Sequence, residues 1–392
     1  MPVQNFLRSL GPALIAASLV SAIGGMPFNV LPQIINSVAT SFQWGPEQLG
    51  LFGSSYLGGY FIATLTAPLW LERLHWRRLS WVAVLACVLA MLFTATLGGS
   101  EPAAVYASWA VVGFFAATLT CLGMRVASGM PNKEHGLGSR LGIELLCAAA
   151  AFFMLPFAIS SGGYVGAVSL LCVVFLLLSW SIFRLPASGR ELDTEHAEAV
   201  SLRISKEGWM GLGVFVLFAI GQIGVYAFLG QLATQDGVSE AQLSFVLAVL
   251  KVIGAVAAIG IGFIGLKFGV RVSHLLAFVG LFLSMLLLGS SGGFAGYAAG
   301  AWLWELSLVA SCVYQTAAIS RLDPSNKAIM LVPAAFALAG TIGPALAGGI
   351  VAQHGFGALL GFGAMTAAIP LLMYLPLAAK IRAQLLASAP AV

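Results

Sequence analysis

Of the 392 residues, 18 are Lys or Arg and 14 are Asp or Glu, so charged residues make up only 8% of the chain. Hydrophobic residues make up 60%, and the mean hydropathy is +0.98. A water-soluble domain of this size keeps much of its surface wettable, so the composition excludes a soluble globular protein. The scarcity of Lys and Arg also excludes a nucleic-acid-binding surface, and we expect no nucleic-acid partner. The solvent is therefore expected to be a lipid bilayer.

Twelve mainly apolar stretches follow one another along the chain, and a membrane helix needs about 20 such residues. Short polar turns, such as Gly98–Pro102 and Ser290–Gly293, separate several of them and predict antiparallel helical hairpins. The sequence thus predicts an all-α integral membrane protein with 12 transmembrane helices. The predicted spans are 10–38, 48–71, 79–98, 103–128, 140–160, 164–184, 208–232, 240–265, 272–290, 295–319, 328–352 and 357–379.

The charges of the loops predict the orientation. With the N-terminus in the cytoplasm, every Lys and Arg except Lys251 falls in a cytoplasmic segment or near a cytoplasmic helix end. The loops predicted on the other side of the membrane carry acids such as Glu47, Glu101 and Asp236. Because cytoplasmic loops of membrane proteins carry the excess of Lys and Arg, we expect both termini in the cytoplasm of a multi-pass inner-membrane protein.

One long polar segment divides the chain near its midpoint. Residues 187–207 have mixed charge and no apolar period, which is typical of a solvated linker. The predicted domains are an N-terminal six-helix bundle at 1–186, the cytoplasmic linker, and a C-terminal six-helix bundle at 208–392.

Matching segments follow the second span of each half. The first runs from Pro68 to Arg78 and carries Glu72, Arg73 and Arg77; the second runs from Gly262 to Arg271 and carries Lys267. Both resemble the Gly-x-x-x-Asp-Arg-x-Gly-Arg-Arg loop of the major facilitator superfamily. The first copy keeps an acid but lacks both glycines, whereas the second keeps the glycines and has Leu266 in place of the acid.

The resemblance covers nearly the whole chain and implies a specific architecture. It implies two pseudo-symmetric six-helix bundles that rock against each other around a central cavity. The first and fourth helices of each half line this cavity. Span eleven also contains Gly340–Gly349, with Gly343-Pro344 at its centre, which resembles the antiporter motif that the family usually places in span five. Close helix packing by small residues is the other interpretation of this segment.

Two charged residues lie near the middle of a span, where a charge is costly unless it is paired or hydrated. These are Lys251 in span eight and Glu305 in span ten, and Trp302 and Trp304 flank the acid. Large apolar rings disfavour the ionised form of the Glu305 carboxyl, which suits a group that takes up and releases a proton. We predict that Glu305 couples protons and that Lys251 binds an anionic group of the substrate. The alternative is an ion pair that fixes spans eight and ten together.

Charges near the cytoplasmic helix ends predict an ionic gate. Its members in the first half are Glu72, Arg73, Arg77, Arg125, Arg140 and Glu144, and in the second half Lys267, Arg271 and Arg321. The alternative is that these charges only set the topology and compensate helix dipoles.

Polar and aromatic residues at helical spacing predict the substrate-facing surfaces. Besides Lys251, the predicted substrate-binding residues are Asn29, Gln33, Tyr56, Tyr60, Trp109, Gln222, Tyr226 and Trp302. Interhelical hydrogen bonds are the alternative for Asn29 and Gln33, and lipid or interfacial contacts are the alternative for the aromatic residues. Trp109 stands where many members of the family carry an arginine. Gly24, Gly25, Pro27 and Pro32 predict a bend in span one.

Sequence signatures of an enzyme are absent. The sequence has no Walker loop, HExxH or GxSxG, its five histidines form no metal motif, and its five cysteines have no CxxC spacing. We expect no enzyme activity, no cofactor and no metal.

The sequence therefore predicts a monomeric secondary transporter for a small organic solute, driven by protons and suited to an organic anion. A proton-driven drug or metabolite efflux pump of the same fold is the first alternative. A non-transporting membrane sensor and a membrane-embedded enzyme are further ones.

Overall fold

The computed structural model describes residues 11–71, 73–130, 133–188, 204–264, 269–290, 292–323 and 327–387. Within these ranges the chain forms helices and turns and contains no β-strand. One 3₁₀ helix spans Ser179–Arg184. In chain order the α-helices are α1 (Pro12–Asn29), α2 (Leu31–Phe42), α3 (Pro46–Trp70), α4 (Trp76–Leu97), α5 (Pro102–Ser128), α6 (Lys133–Leu178), α7 (Lys206–Gln235), α8 (Glu240–Ile264), α9 (Val270–Leu288), α10 (Gly293–Leu322), α11 (Lys327–Met330) and α12 (Val332–Ala387).

The first predicted span consists of two helices. α1 ends at Asn29 and α2 begins at Leu31, and Val30 lies between them at φ −101° and ψ 8°. Pro32 occupies the first turn of α2, where its missing N–H removes no intrahelical hydrogen bond. The bend that the prolines predict is therefore present, and it lies near the middle of the span.

Two helices are long enough to cross a membrane twice, and both contain a turn. Gly162 and Gly163 interrupt the 46 residues of α6, and Gly163 has φ 55°, a conformation that favours glycine. Gly355, at φ 78°, interrupts the 56 residues of α12 in the same way. Each of these helices corresponds to two of the predicted spans.

The outer surface of the helices fits a lipid solvent. In the part of the chain that the structure describes, eight helices are long and apolar enough to cross a membrane, and these include α6 and α12. Large apolar side chains such as Phe157, Phe183 and Val256 are exposed. Since water would disfavour such a surface, these side chains are expected to contact lipid.

The chain divides into two compact units. The first comprises Met1–Trp44 and Ser55–Glu198, and the second comprises Gly45–Ser54 and Ala199–Val392. In the first unit α1 packs against α5 and α6; in the second α7 packs against α12, and α10 packs against α8 and α9. The division at Glu198 falls inside the predicted linker, of which residues 189–203 lie outside the described ranges.

Candidate functional site

The second unit buries both charged side chains that the sequence places in mid-span. Lys251 on α8 is 4% exposed, and Glu305 on α10 is 7% exposed. The Lys251 Nζ lies 4.6 Å from the centre of the Tyr226 ring on α7, a cation–π distance. Gly254, three residues after Lys251 on α8, packs against the Glu305 carboxyl. Three helices thus bring an ammonium, a carboxyl and an aromatic ring together.

A buried tryptophan extends this group. The Trp304 ring stacks on the Tyr226 ring, with 5.7 Å between centroids and 7° between planes. Its Nε1 donates a hydrogen bond of 3.0 Å to Gln222 Oε1 on α7. We call Gln222, Tyr226, Lys251, Trp304 and Glu305 the Glu305 cluster.

The Gln222 side chain has partners at both ends of its amide. Its Nε2 donates to the Gly363 carbonyl at 2.8 Å and to Thr366 Oγ1 at 3.2 Å, both on α12. Gln222 was predicted to bind substrate, and in this structure its hydrogen bonds orient Trp304 and join α7 to α12.

Trp302 lies apart from the cluster, although the sequence prediction selected it. Its Nε1 donates to the Val246 carbonyl at 3.1 Å, and its ring meets the Phe245 ring edge-on at 6.4 Å. Side chains two residues apart on a helix point in widely different directions, so Trp304 and Trp302 face different neighbours. The sequence marks Trp304 only as a neighbour of Glu305 and gives no sign of its contact with Tyr226.

A glycine on α8 provides the space for the Glu305 carboxyl. A Cβ atom added at Gly254 would lie 2.4 Å from Glu305 Oε1, far inside van der Waals contact. The absence of a side chain at Gly254 is therefore what allows the carboxyl to pack against α8.

Gly254→Ala is expected to displace the Glu305 carboxyl and to lower the thermal unfolding temperature by several degrees, because an overpacked buried site costs about 1–3 kcal/mol. Gly260→Ala, on the same helix, is the control, since a Cβ there meets nothing within 4 Å. Thermal unfolding of the two purified variants checks this, and equal unfolding temperatures would contradict the assigned packing.

The first unit contains a second buried carboxyl group. Arg140 and Glu144, one turn apart on α6, form an ion pair with 2.6 Å between NH1 and Oε2. Ser21 Oγ of α1 donates to Glu144 Oε2 at 3.1 Å and lies 2.5 Å from Arg140 NH1. Asn29 Nδ2 donates to Glu144 Oε1 at 3.3 Å. A Cβ at Gly25 would lie 2.1 Å from Glu144 Oε1. We call these five residues the Glu144 cluster.

The cluster lies deeper than the sequence predicts. The sequence places Arg140 and Glu144 near the cytoplasmic end of span five, which was predicted to start at 140. However, α6 begins at Lys133, and Glu144 contacts the end of α1 at Asn29. For Asn29, the structure shows the interhelical hydrogen bond that was the alternative to substrate binding.

Three predicted aromatic residues of the first unit pack together. The Tyr56 ring lies 6.3 Å from the Tyr60 ring and 5.9 Å from the Trp109 ring. Trp109 Nε1 donates to Tyr164 Oη at 2.8 Å, and Tyr164 Oη lies 2.6 Å from Thr94 Oγ1. Trp109 is fully buried, so its indole N–H serves the packing of α4, α5 and α6. Gln33, on α2, is also fully buried.

The other predicted gate residues lie near helix ends. Arg73, in the turn after α3, and Arg271, at the start of α9, are exposed, whereas Arg125 and Arg321 are partly buried in the last turns of α5 and α10. Arg77 is exposed, and its Nε donates to the Leu185 carbonyl at 2.6 Å. Glu72 lies outside the described residues, as does Lys267.

The glycine–proline segment of α12 packs closely against α7. A Cβ at Gly343 would lie 2.5 Å from the Ile220 carbonyl oxygen. Small residues allow such a close approach of two helices, which is the packing interpretation of this segment.

The cysteines and potential metal ligands form no centre in the described part of the chain. All five cysteines are free thiols. Among the described residues no group of three His, Cys, Asp or Glu side chains could hold a metal ion.

Sequence comparison decides the family. The sequence model of the Major Facilitator Superfamily matches residues 13–326, which is most of the chain. The chain belongs to the Major Facilitator Superfamily. It is a multi-pass membrane transport protein of that superfamily. No curated protein sequence matches it.

Solved structures of this superfamily have the same fold. A mutant of the nucleoside transporter NupG superposes with a TM-score of 0.73 at 10% identity, covering 95% of this chain and 99% of that one. The xylose transporter XylE from E. coli, in a partially occluded inward-open conformation, gives 0.71 at 14%, covering 93% and 97%. The human organic anion transporter MFSD10 gives 0.65 at 14%, covering 92% and 98%. At these identities the likeness establishes the fold alone.

Proposed function

We propose that this superfamily member is a monomeric, proton-coupled secondary transporter that moves a small organic anion across the inner membrane by alternating access. Both termini lie in the cytoplasm, in accord with the distribution of Lys and Arg among the loops. Its solute and protons are its partners, and it needs no cofactor. The single observation that supports the proposal most strongly is the burial of Lys251 and Glu305 together in mid-helix.

In this proposal the two charged groups have separate roles. Glu305 carries the proton, because its burial against the backbone of Gly254 deprives the ionised carboxyl of hydration. Lys251 binds the anionic group of the solute. The Tyr226 ring lies at a cation–π distance from the ammonium and partly offsets its loss of water.

Tyr226 and Trp304 support an aromatic or amphipathic acid as the solute. Their rings stack on each other in the same buried group as the ammonium. An aromatic acid would place its carboxylate at Lys251 and its ring among these aromatic side chains, so both parts of the molecule would be desolvated in a matching environment.

The test uses proteoliposomes that contain the pH dye pyranine. Addition of benzoate and other aromatic acids is expected to acidify the lumen, after subtraction of the signal from protein-free vesicles. The corresponding uncharged amides are expected to leave the lumen pH unchanged. Lys251→Ala is expected to lose about tenfold or more of the initial rate, since a hydrogen bond to a charged group contributes about 1.5–3 kcal/mol.

The matched control is Lys206→Ala, because Lys206 is exposed at the start of α7. It should behave as the parent protein. Equal proton movement with acids and amides, or an unchanged rate in Lys251→Ala, would contradict the proposal. Proton movement only in the outward direction would instead identify the efflux pump.

A further inference from the structure

A groove at the surface of the first unit has no part in the proposed transport mechanism. It has a volume of about 90 Å³ and lies between the start of α1 and the 3₁₀ helix. α1 contributes Pro12, Ile15 and Leu19, and the 3₁₀ helix contributes Trp180 and Arg184. The groove therefore combines a mainly apolar wall with one cationic side chain, and none of the described residues that line it is acidic.

The cation lies at one end of the groove. Pro12 is the first residue of α1, and Leu19 lies about 10 Å further along the helix at 1.5 Å per residue. Arg184 is the last residue of the 3₁₀ helix. In the proposed orientation the start of α1 and the end of span six both lie on the cytoplasmic side. Arg184 is therefore expected at the level of the lipid headgroups, and Leu19 in the hydrocarbon layer.

Trp180 orients the guanidinium of Arg184. The Arg184 Cζ lies 5.2 Å from the centre of the Trp180 ring, a cation–π distance. Both side chains are exposed, so both can contact a molecule of the bilayer. Stacking occupies a face of the guanidinium, whereas its N–H groups lie in its plane, where phosphate oxygens can accept two parallel hydrogen bonds. Tryptophan is itself enriched at the depth of the headgroups.

Contacts with α4 hold the 3₁₀ helix in place. The Phe183 ring lies 5.5 Å from the Trp81 ring of α4. The carbonyl of Leu185, the residue after Arg184, accepts a hydrogen bond of 2.6 Å from Arg77 Nε. Arg184 is thus presented by a backbone that is tied to a neighbouring helix, so a ligand loses little free energy in ordering it.

We propose that this groove binds one anionic phospholipid of the cytoplasmic leaflet. The lipid phosphate accepts hydrogen bonds from the Arg184 guanidinium, and one acyl chain lies along Ile15 and Leu19. Anionic lipids make the cytoplasmic surface negative and attract basic side chains there. A zwitterionic lipid brings its own cation close to Arg184, and a headgroup without chains gains nothing from the apolar wall. Both therefore bind more weakly.

Native mass spectrometry of the purified full-length protein in detergent counts the bound lipids. Dioleoyl phosphatidylglycerol and dioleoyl phosphatidylcholine have the same chains and differ in headgroup charge. The first phosphatidylglycerol molecule is expected to bind about fivefold more tightly than the first phosphatidylcholine molecule, because a basic residue at the membrane surface favours the anionic lipid by roughly this factor. Glycerophosphoglycerol, the headgroup without chains, is expected to bind at least tenfold more weakly than the lipid.

Two variants test the two parts of the groove. Arg184→Gln is expected to bind the two lipids equally. Leu19→Trp fills the apolar part without a change of charge, and it is expected to weaken the binding of both lipids. The matched control is Arg78→Gln, because Arg78 is exposed in the first turn of α4 and does not line the groove. It should keep the full preference for phosphatidylglycerol.

The proposal is overturned if the unmodified protein binds the two lipids equally, if Arg184→Gln keeps the preference, or if Arg78→Gln loses it as well. Binding of glycerophosphoglycerol as tightly as the lipid, or unchanged binding in Leu19→Trp, would also overturn it. The measurement is repeated in Lys251→Ala, where the preference is expected to persist; its loss there would place the lipid at the proposed solute site and overturn the proposal. Lipid binding is measured without transport, so its outcome and that of the transport assays are independent.

Discussion

Replacing Glu305 with glutamine is expected to abolish proton-driven accumulation of the solute. A proton that accompanies a monovalent anion moves no net charge, so a pH gradient drives the accumulation. One pH unit corresponds to about 1.4 kcal/mol, which is about tenfold accumulation. The amide has the shape of the carboxyl and still fits over Gly254, but it cannot carry a proton. We therefore expect that in vesicles with Glu305→Gln the internal solute concentration rises only to the external one.

The dye assay first identifies a transported solute. Accumulation of this solute in labelled form then measures the effect. Glu101→Gln is the matched control, because Glu101 is an exposed acid in the turn before α5. It should accumulate solute as the parent protein does. Accumulation by Glu305→Gln above the external concentration under the pH gradient would exclude Glu305 as the proton carrier.

Removing one partner of the Arg140–Glu144 pair is expected to cause the largest loss of stability. Both residues are buried and joined at 2.6 Å, so either single alanine variant leaves an uncompensated buried charge. Such a change costs about 3–5 kcal/mol. Replacing both, as Arg140→Met with Glu144→Leu, is expected to cost much less than the sum of the single changes, because no charge remains buried.

Urea unfolding of the purified variants in a mild detergent measures these differences. Gly142→Ala lies on α6 between the two residues, and a Cβ there meets nothing within 4 Å, so its free energy of unfolding should match that of the parent. Additive effects of the two single changes would show that the pair does not interact in the folded protein.

The sequence was sufficient to predict the family and most of the fold. Twelve apolar stretches and the distribution of Lys and Arg predict a helical membrane protein, and the paired loops after spans two and eight carry the resemblance to the superfamily. The break at Val30 follows from prolines that fix local backbone angles. These features depend on composition and on neighbours in the chain, which a sequence displays directly.

Lys251 and Glu305 could also be found from the sequence, because a charge is conspicuous in an apolar helix. Their surroundings could not be found. The sequence does not distinguish Trp304 from Trp302, since both are tryptophans close to Glu305. Only the packing of α10 against α7 and α8 shows which one contacts Tyr226. Thr366 joins Gln222 across 144 positions of sequence, and no local pattern predicts such a contact.

The depth of Glu144 was misjudged for a related reason. The apolar stretch of span five starts at Arg140, whereas the helix continues back to Lys133 through polar residues. Hydropathy measures apolar length and not helix length. Ser21, an ordinary small residue in span one, gave no signal that it would contact an ion pair on another helix.

The central claim is that Glu305 couples solute movement to protons, and exchange measured beside accumulation in Glu305→Gln tests it most directly. Exchange of labelled for unlabelled solute needs no net proton movement, so Glu305→Gln should exchange at a rate close to that of the parent protein while it fails to accumulate solute. A variant that both exchanges and accumulates normally would contradict the claim.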